Sequence, residues 1–421
     1  MVYFLALLLG FPYLLYKVIS TPGARGSLGA RLGWIPSRDS EKPLMILHGV
    51  SVGEIKASRT LFAGLEKSFP GWDFVVTSTT PAGFEMARKV YPEIPVHYFP
   101  ADLSFSVNRF LRRLRPQAII LMEVEIWPNF LSQARRNSVP VFLANGRISN
   151  RSFRRYRAFR RLLFHPFEKI QHYCVQTEEY QQRFRELGVP ENRIDVTGSL
   201  KFDTALPSVS SEEVEKIRDS LGLSLNRPVF VAGSTHAGEE MLVLRAFEEL
   251  RKKHEQLVLI LVPRYPNRAD EVSELVRKSG MVPQRKSMLP AGNSLGDSVL
   301  VVDTMGELEK SYAIASAVFV GGSLVPRGGQ NMIEPAALGR PVFFGPLIEN
   351  FAEMGGMLVE GGGADFVRDA SDMEKKIDRV LSSPDFGEAM GQKGKALVER
   401  LRGATNRTVE ILCAELRQKE R

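Results

Sequence analysis

The residues best suited to chemistry fall in five short motifs. HGVSVGE, from His48 to Glu54, follows an apolar run. Gly49 and Gly53 permit a tight strand-to-helix turn, with Ser51 inside it and Glu54 at the start of the next helix. A carboxylate there can act as a general base. An acid at a helix start also serves the macrodipole alone. MEVEIWPN, from Met122 to Asn129, ends a second apolar run with Glu123 and Glu125. Burying two carboxylates is costly unless each is paired. They mark either a polar site or a loop whose acids meet nearby arginines. The stretch from Arg147 to Arg161 holds seven arginines in fifteen residues and no acid, with Phe153, Tyr156 and Phe159 interleaved. Guanidinium forks suit phosphates, and Arg154, Arg155 and Arg157 are the candidate contacts. The aromatics would touch acyl chains or fill a core face. Arg109, Arg112, Arg113 and Arg115 form a second basic group. A solvated helix face is the plainer reading, and charge alone also admits nucleic acid.

The fourth motif is AGSTHAGEE, Ala232 to Glu240. A turn through Ser234, Thr235 and His236 into a helix would present N–H groups and hydroxyls to an anion. Arg264, in VPRYP, ends the next run and could reach the same anion. The fifth is GGSLVPRGGQNMIEPAALGRPVFFGP, Gly321 to Pro346. Its glycines would let backbone amides approach a phosphate. A helix is expected from about Gln330-Asn331, with Glu334 one turn in and able to accept both hydroxyls of a ribose. A tight turn that serves packing alone is the alternative. No G-x-x-x-x-G-K-[ST] occurs, and no G-x-G-x-x-G follows the first apolar run. The six histidines are scattered, and no His, Cys and Asp group has metal-ligand spacing.

The elements that must position these motifs are short buried strands. Apolar runs at 43–48, 73–77, 117–122, 139–144, 171–176 and 193–197 form one series. Runs at 228–232, 257–262, 298–302, 317–321 and 341–344 form another. Continuous Val, Ile, Leu and Phe imply strands covered on both faces, as in parallel sheets. Their spacing is that of βαβ units. The expectation is two doubly wound α/β domains, 40–203 and 213–421, joined through the polar segment Thr204 to Lys216. Ligands of such folds sit at the carboxyl ends of the strands. The segment 388–417 reads as one long amphipathic helix, with packing back on the first domain as one option for it.

With 421 residues, 44% of them apolar and 25% charged, the chain is no disordered tail, collagen-like rod or polytopic membrane protein. Cys174 and Cys413 are too few for a disulfide framework, which fits a reducing compartment. The first 200 residues carry 27 Lys and Arg against 16 Asp and Glu; the remainder carries 29 against 32. The basic excess therefore lies in the first half and suggests an anionic partner. Met1 to Tyr16 bear no charge, and with Val18 and Ile19 the stretch nears 19 residues, broken by Lys17. A spanning helix needs about 20. No basic region precedes it and no small-x-small site follows, which argues against a signal peptide. Residues 1–20 are expected to be an uncleaved membrane anchor rather than a core helix. Lys17, Arg25, Arg31 and Arg38 behind it place the rest of the chain in the cytoplasm.

In their order, HGVSVGE, EVEIWPN, GSLKFD (Gly198–Asp203), AGSTHAGEE, VPR, DTMGEL (Asp303–Leu308) and GGQNMIEPAALG resemble the 3-deoxy-D-manno-octulosonic acid (Kdo) transferases, glycosyltransferase family 30. The resemblance spans nearly the whole chain. It departs at Gly49, where Ala is usual, at Val124, where Thr is usual, and at Gln330, where His is frequent. It implies a GT-B fold, two Rossmann-like domains facing a cleft. It implies inverting, metal-independent transfer of Kdo from CMP-Kdo to a lipid A precursor such as lipid IVA, at the inner membrane of a Gram-negative cell. By motif, Glu54 is the general base. Ser234, Thr235, His236, Arg264, Gly306, Glu307, Leu308, Gln330, Asn331 and Glu334 hold the donor. Ser51, Glu123, Glu125, Lys201 and the arginines 154, 155 and 157 line the acceptor side. No metal, other cofactor or nucleic acid is expected, while anionic lipid is. Two other classes compete: another GT-B nucleotide-sugar transferase or epimerase, and a non-catalytic, membrane-anchored module that binds anionic lipid. The first would not need the anchor or the arginines. The second predicts loss of Glu54 or Glu334, and both are present.

Overall fold

The computed structural model describes residues 24–159, 166–203, 209–289 and 295–419. The chain forms two compact units: one runs to Thr204 and resumes at Arg402, and the other spans Ala205–Leu401. Each is built on a seven-stranded, wholly parallel sheet.

The first sheet contains β1 (Leu44–His48), β2 (Asp73–Ser78), β3 (Val96–Tyr98), β4 (Ala118–Met122), β5 (Val141–Gly146), β6 (His172–Val175) and β7 (Ile194–Val196). Their order is β3-β2-β1-β4-β5-β6-β7. Strand order reverses between β1 and β4, so Glu54 and the Glu123–Glu125 pair leave the sheet on either side of its switch point. Both faces of β1 are covered. Leu44 and Ile46 enter one core with Ile119, Leu121 and Phe130. Met45 and Leu47 enter another with Leu61, Leu65 and Leu412.

The second sheet contains β8 (Val229–Thr235), β9 (Val258–Pro263), β10 (Pro283–Arg285), β11 (Val299–Val301), β12 (Ala317–Val320), β13 (Val342–Phe344) and β14 (Ala364–Phe366), in the order β10-β11-β9-β8-β12-β13-β14. Here the switch lies between β8 and β12, the strands that lead into AGSTHAGEE and the Gly-rich loop. Gly233 is required at the end of β8, because a Cβ there would stand 2.2 Å from the Tyr312 hydroxyl.

Eleven of the strands coincide with the apolar runs. β3, β10 and β14 do not; each is three residues long and lies at an edge, where an apolar run is not needed. The single helix expected over 388–417 is two, Pro384–Leu401 and Ala404–Lys419. Gly403 sits at φ +92, and Asp203 accepts from Gly403 N (2.7 Å) and Thr405 N (2.5 Å). That carboxylate caps a new helix start. The second of these helices packs on Val52–Ser68 in the first unit. A Cβ on Gly64 would come within 2.9 Å of Val409, which leaves no room for a larger residue. No described helix is long and apolar enough to cross a membrane. The anchor expected over 1–20 lies outside the described residues.

Candidate active site

In the first unit, the turn after β1 is closed by Glu54 itself. Ser51 caps the helix Val52–Ser68, its Oγ accepting from Glu54 N at 3.2 Å. In return Glu54 Oε1 accepts from Ser51 Oγ (2.8 Å), and Oε2 accepts from Val50 N (2.8 Å). The carboxyl is thus fixed and 9% exposed. Burial raises its proton affinity above the ordinary carboxylate value, with a further push from Glu123 against the pull of the Val50 N–H. Each oxygen keeps a second lone pair for another proton.

Beyond β4 the backbone turns sharply, with Glu123 in the left-handed region at φ 56. Glu123 Oε2 stands 3.4 Å from Arg147 Nε. Glu125 Oε2 accepts from Trp127 Nε1 at 2.8 Å. Burial pushes the Glu125 carboxyl up to about 7, and Glu54 and Glu123 push the same way. The Tyr156 phenol is raised by burial and then by Glu125. The structure therefore brings Glu54, Glu123 and Glu125 within electrostatic reach of one another, with Tyr156 in reach of Glu125. Lys201 follows β7, where the chain comes back over the end of β5: Leu200 N is held by Asn145 Oδ1 (3.1 Å), and Leu200 shares a core with Met122 and Ala144.

Folded Glu125 holds a proton that the unfolded chain has already released, so stability declines as pH rises from about 4.5 through about 7. Glu125→Gln is expected to remove that slope. In urea melts it should exceed the parent by about 1–3 kcal/mol at pH 8, with the gap closing at pH 5. A gap that is the same at both values would show that Glu125 is not protonated by the fold.

Arg154, Arg155 and Arg157 are exposed on the helix Asn150–Phe159. Arg157 also stands 3.7 Å from Glu186. Phe153 and Tyr156 pack against the core, which settles their role as filling a core face. Arg160 and Arg161 lie outside the described residues.

In the second unit, the expected open anion turn is already filled. Ser234 and Thr235 belong to β8. The wholly buried carboxylate of Glu239 accepts from four backbone amides: His236 N (2.9 Å), Gly322 N (2.7 Å), Ser323 N (3.0 Å) and Leu324 N (2.9 Å). The amides expected to meet a phosphate at the start of the Gly-rich loop are thus taken by the protein's own anion. An acid doublet at a helix start was the available signal.

A cationic group remains free beside it. His236 is held below its ordinary value by burial, with Arg327, Arg264 and Arg268 acting in the same sense against Glu239. Arg268 is anchored to Glu240 (2.7 Å) and Glu271 (2.8 Å). Arg264 and Arg327 are exposed and make no ion pair among the described residues. Arg327 was missed in the sequence although it lies inside a recognised motif. Gln330 Nε2 is 3.4 Å from His236 Nε2. The helix beyond starts at Ile333, later than expected; Met332 is its N-cap residue, and just before it Asn331 Oδ1 accepts from Ile333 N (3.1 Å) in a side-chain turn. Asn331 Nδ2 donates to Glu334 Oε1 at 2.9 Å. Gly306 supplies a φ of +83 before the helix Leu308–Ala313, and Glu307 pairs with Lys310 (3.0 Å). A cavity of about 260 Å³ opens here, and Glu307 is the one expected donor residue that lines it.

A family model described as 3-deoxy-D-manno-octulosonic-acid transferase (kdotransferase) matches residues 26–204. A 3-deoxy-D-manno-octulosonic acid transferase from Haemophilus influenzae is 34% identical over 94% of this chain and 92% of its own length. The chain belongs to the Kdo transferase family. As a Kdo transferase it is a glycosyltransferase, and a relative so named from Chlamydia pneumoniae is 30% identical over 97% of this chain and 93% of that one. UDP-GlcNAc 2-epimerase from Neisseria meningitidis matches 90% of this chain and 100% of its own at a TM-score of 0.58 and 15% identity. A glycosyltransferase from Rickettsia africae matches 90% and 99% at 0.56 and 14%. These two likenesses show the fold. Within this Kdo transferase, none of the three departures displaces a carboxylate. Gly49 leaves open a space where a Cβ would press on Ile55 at 3.0 Å and Glu54 at 3.3 Å. Val124 packs on the core, and Gln330 reaches His236.

Proposed function

We propose that this Kdo transferase moves Kdo from CMP-Kdo to a hydroxyl of a bis-phosphorylated lipid A precursor such as lipid IVA, with inversion at the anomeric carbon. The observation that carries the proposal is the Glu54 carboxyl, buried, fixed at both oxygens and raised in proton affinity at the carboxyl end of β1. In the step, the acceptor oxygen forms a bond to the anomeric carbon as the bond from that carbon to the CMP phosphate breaks. The acceptor proton passes to Glu54, and CMP leaves as the phosphate anion. General-base help of this kind suits a carboxyl whose pKa is drawn toward neutrality.

The second unit would hold the donor. Arg264, assisted by Arg327 and by a neutral His236, would meet the phosphate charge that grows as CMP departs. Asn331 and Glu334, already paired, would meet the ribose. Gly306, Glu307 and Leu308 would stand by the base, with Ser234, Thr235 and Gln330 completing the donor set. These cations make a metal unnecessary in this reading. On the acceptor side, Ser51 orients Glu54, and Glu123, Glu125 and Lys201 shape the polar surround. The exposed guanidiniums of Arg154, Arg155 and Arg157 would dock lipid phosphates. The uncharged stretch from Met1 to Tyr16, as an anchor at the inner membrane, would keep the enzyme beside its acceptor on the cytoplasmic side.

The test is incubation with CMP-Kdo and lipid IVA, followed by mass spectrometry of the lipid. A gain of one or more Kdo units is expected, and an unchanged lipid mass overturns the proposal. In the same assay, replacing Arg154, Arg155 and Arg157 with Ala should raise KM for the lipid far more than KM for CMP-Kdo. Each desolvated charged contact contributes about 1.5–3 kcal/mol, so the triple variant should lose at least about tenfold in lipid KM. Equal changes in both constants would remove the arginines from acceptor docking.

A further inference from the structure

Trp34 is 57% exposed, yet its surroundings are tightly built. It follows the helix Ala24–Arg31, and its backbone N donates to Gly29 O at 2.9 Å. Gly33, at φ +82, lets this turn lie directly on the helix Ser104–Leu114; a Cβ there would stand 2.5 Å from Ser106 O. Arg109 and Arg113 place their guanidiniums 4.1 Å and 5.2 Å from the Trp34 ring. Both are also held by the turn's backbone, Arg109 donating to Leu32 O and Arg113 to Ile35 O. The indole is thus fixed in the open by two cations.

Phe105, Arg109 and Arg112, spaced i, i+4 and i+7, share the outer face of the same helix. Phe105 is 55% exposed, and Leu28 on the neighbouring helix is 42% exposed. The helix Ser104–Leu114 contains no acid. Among the described residues, Arg109, Arg112 and Arg113 form no ion pair. Asp102, two residues before this helix, is buried and accepts from Asn129 N and Phe130 N. The two helices and the turn between them therefore expose three apolar side chains together with arginines that no described carboxylate pairs, the composition of a surface that meets lipid headgroups and the acyl boundary together. The chain's length adds a constraint. The apolar stretch ends at Ile19 and the first helix begins at Ala24. The five Cα-to-Cα steps from residue 19 to residue 24 reach at most about 18 Å, so a membrane-bound stretch holds this face close to the bilayer.

We propose that the face formed by Leu28, Trp34, Phe105, Arg109 and Arg112 lies in the headgroup layer of an anionic bilayer, with Trp34 and Phe105 at the acyl boundary. The proposal rests on the reading of residues 1–20 as membrane-bound, and it is separate from the arginines assigned to the acceptor. It would fix the first unit's orientation on the bilayer, which a single tether does not.

The experiment uses the full chain and vesicles of phosphatidylglycerol and phosphatidylcholine with brominated acyl chains, which quench tryptophan by contact. The chain has three tryptophans, Trp34, Trp72 and Trp127. Wild-type emission is expected to be quenched on binding, and Trp34→Phe should lose most of that quenching while still sedimenting with the vesicles. Vesicles of phosphatidylcholine alone should quench less, by about fivefold in occupancy for each guanidinium engaged. Quenching that is equal in wild type and Trp34→Phe overturns the proposal. So does a vesicle-bound wild type whose emission is untouched, which would mean that residues 1–23 or a second copy covers the face. Equal quenching by the two vesicle types overturns the part assigned to the arginines. Failure to sediment with any vesicle overturns the anchor as well, so the two readings fail by different results.

Discussion

Glu54→Gln is expected to lower kcat by about 10²–10⁴-fold while leaving CMP affinity within a factor of two or so. Glutamine keeps the shape and can still accept from Val50 N, so the turn after β1 should survive. What it loses is the ability to take the acceptor's proton. CMP would be held by Arg264, Asn331 and Glu334 in the other unit, and Glu334→Ala should do the reverse, weakening CMP directly. The pairing of the two variants gives the test its force. If Glu54 only completes a helix start, its loss costs the dipole and capping contribution of about 0.3–1 kcal/mol and spares the reaction. A Glu54→Gln enzyme that retains more than a tenth of the parent kcat and melts earlier would sink the assignment. Steady-state kinetics, a CMP titration and a melting curve on one preparation decide it.

The largest stability loss is expected at Glu239, not at any residue assigned to catalysis. Four backbone donors converge on its buried carboxylate. Glu239→Ala would leave them without an acceptor in a place water does not reach. Each orphaned buried donor costs about 1–3 kcal/mol, so a total above about 4 kcal/mol is expected, a range reserved for broken buried networks. The Gly-rich loop and the end of β8 should loosen together, and donor binding should fall with them. Glu239→Gln retains one acceptor oxygen and should fall between. Urea melts that place the alanine variant within about 1 kcal/mol of the parent would mean that the loop holds itself.

The same residue shows where reading the chain in one dimension stops. A glycine-rich turn after a parallel strand does mark an anion site, and one is present. Sequence spacing does not say whose carboxylate or phosphate fills it, because Glu239 and Gly322 are 83 positions apart. The helix start at Ala404 fails for a related reason. Amphipathic spacing runs smoothly through Arg402 and Gly403, and the cap that splits the helix comes from Asp203, 200 positions earlier. By contrast, Glu54, Glu123 and Glu125 were legible because each lies a few residues beyond a run of buried β-branched and aliphatic residues. The strand end fixes them and the two-faced burial fixes the strand. Edge strands such as Pro283–Arg285 carry no such run, since only one neighbour must be matched.

The place of the last helix bears on how the chain comes into being. Ala404, Val409, Leu412 and Leu416 fill one face of the first unit's core, against Leu61 and Leu65. The ribosome therefore delivers strands β1 to β7, then the whole second unit, and only then the residues that close the first core. Domains otherwise tend to fold as they emerge, N-terminal first. Here the second unit can finish while the first still shows an apolar groove along Val52–Ser68. Synthesis order and completion order are inverted, and the emergence of residues 404–419 becomes the event that seals the part of the molecule made first.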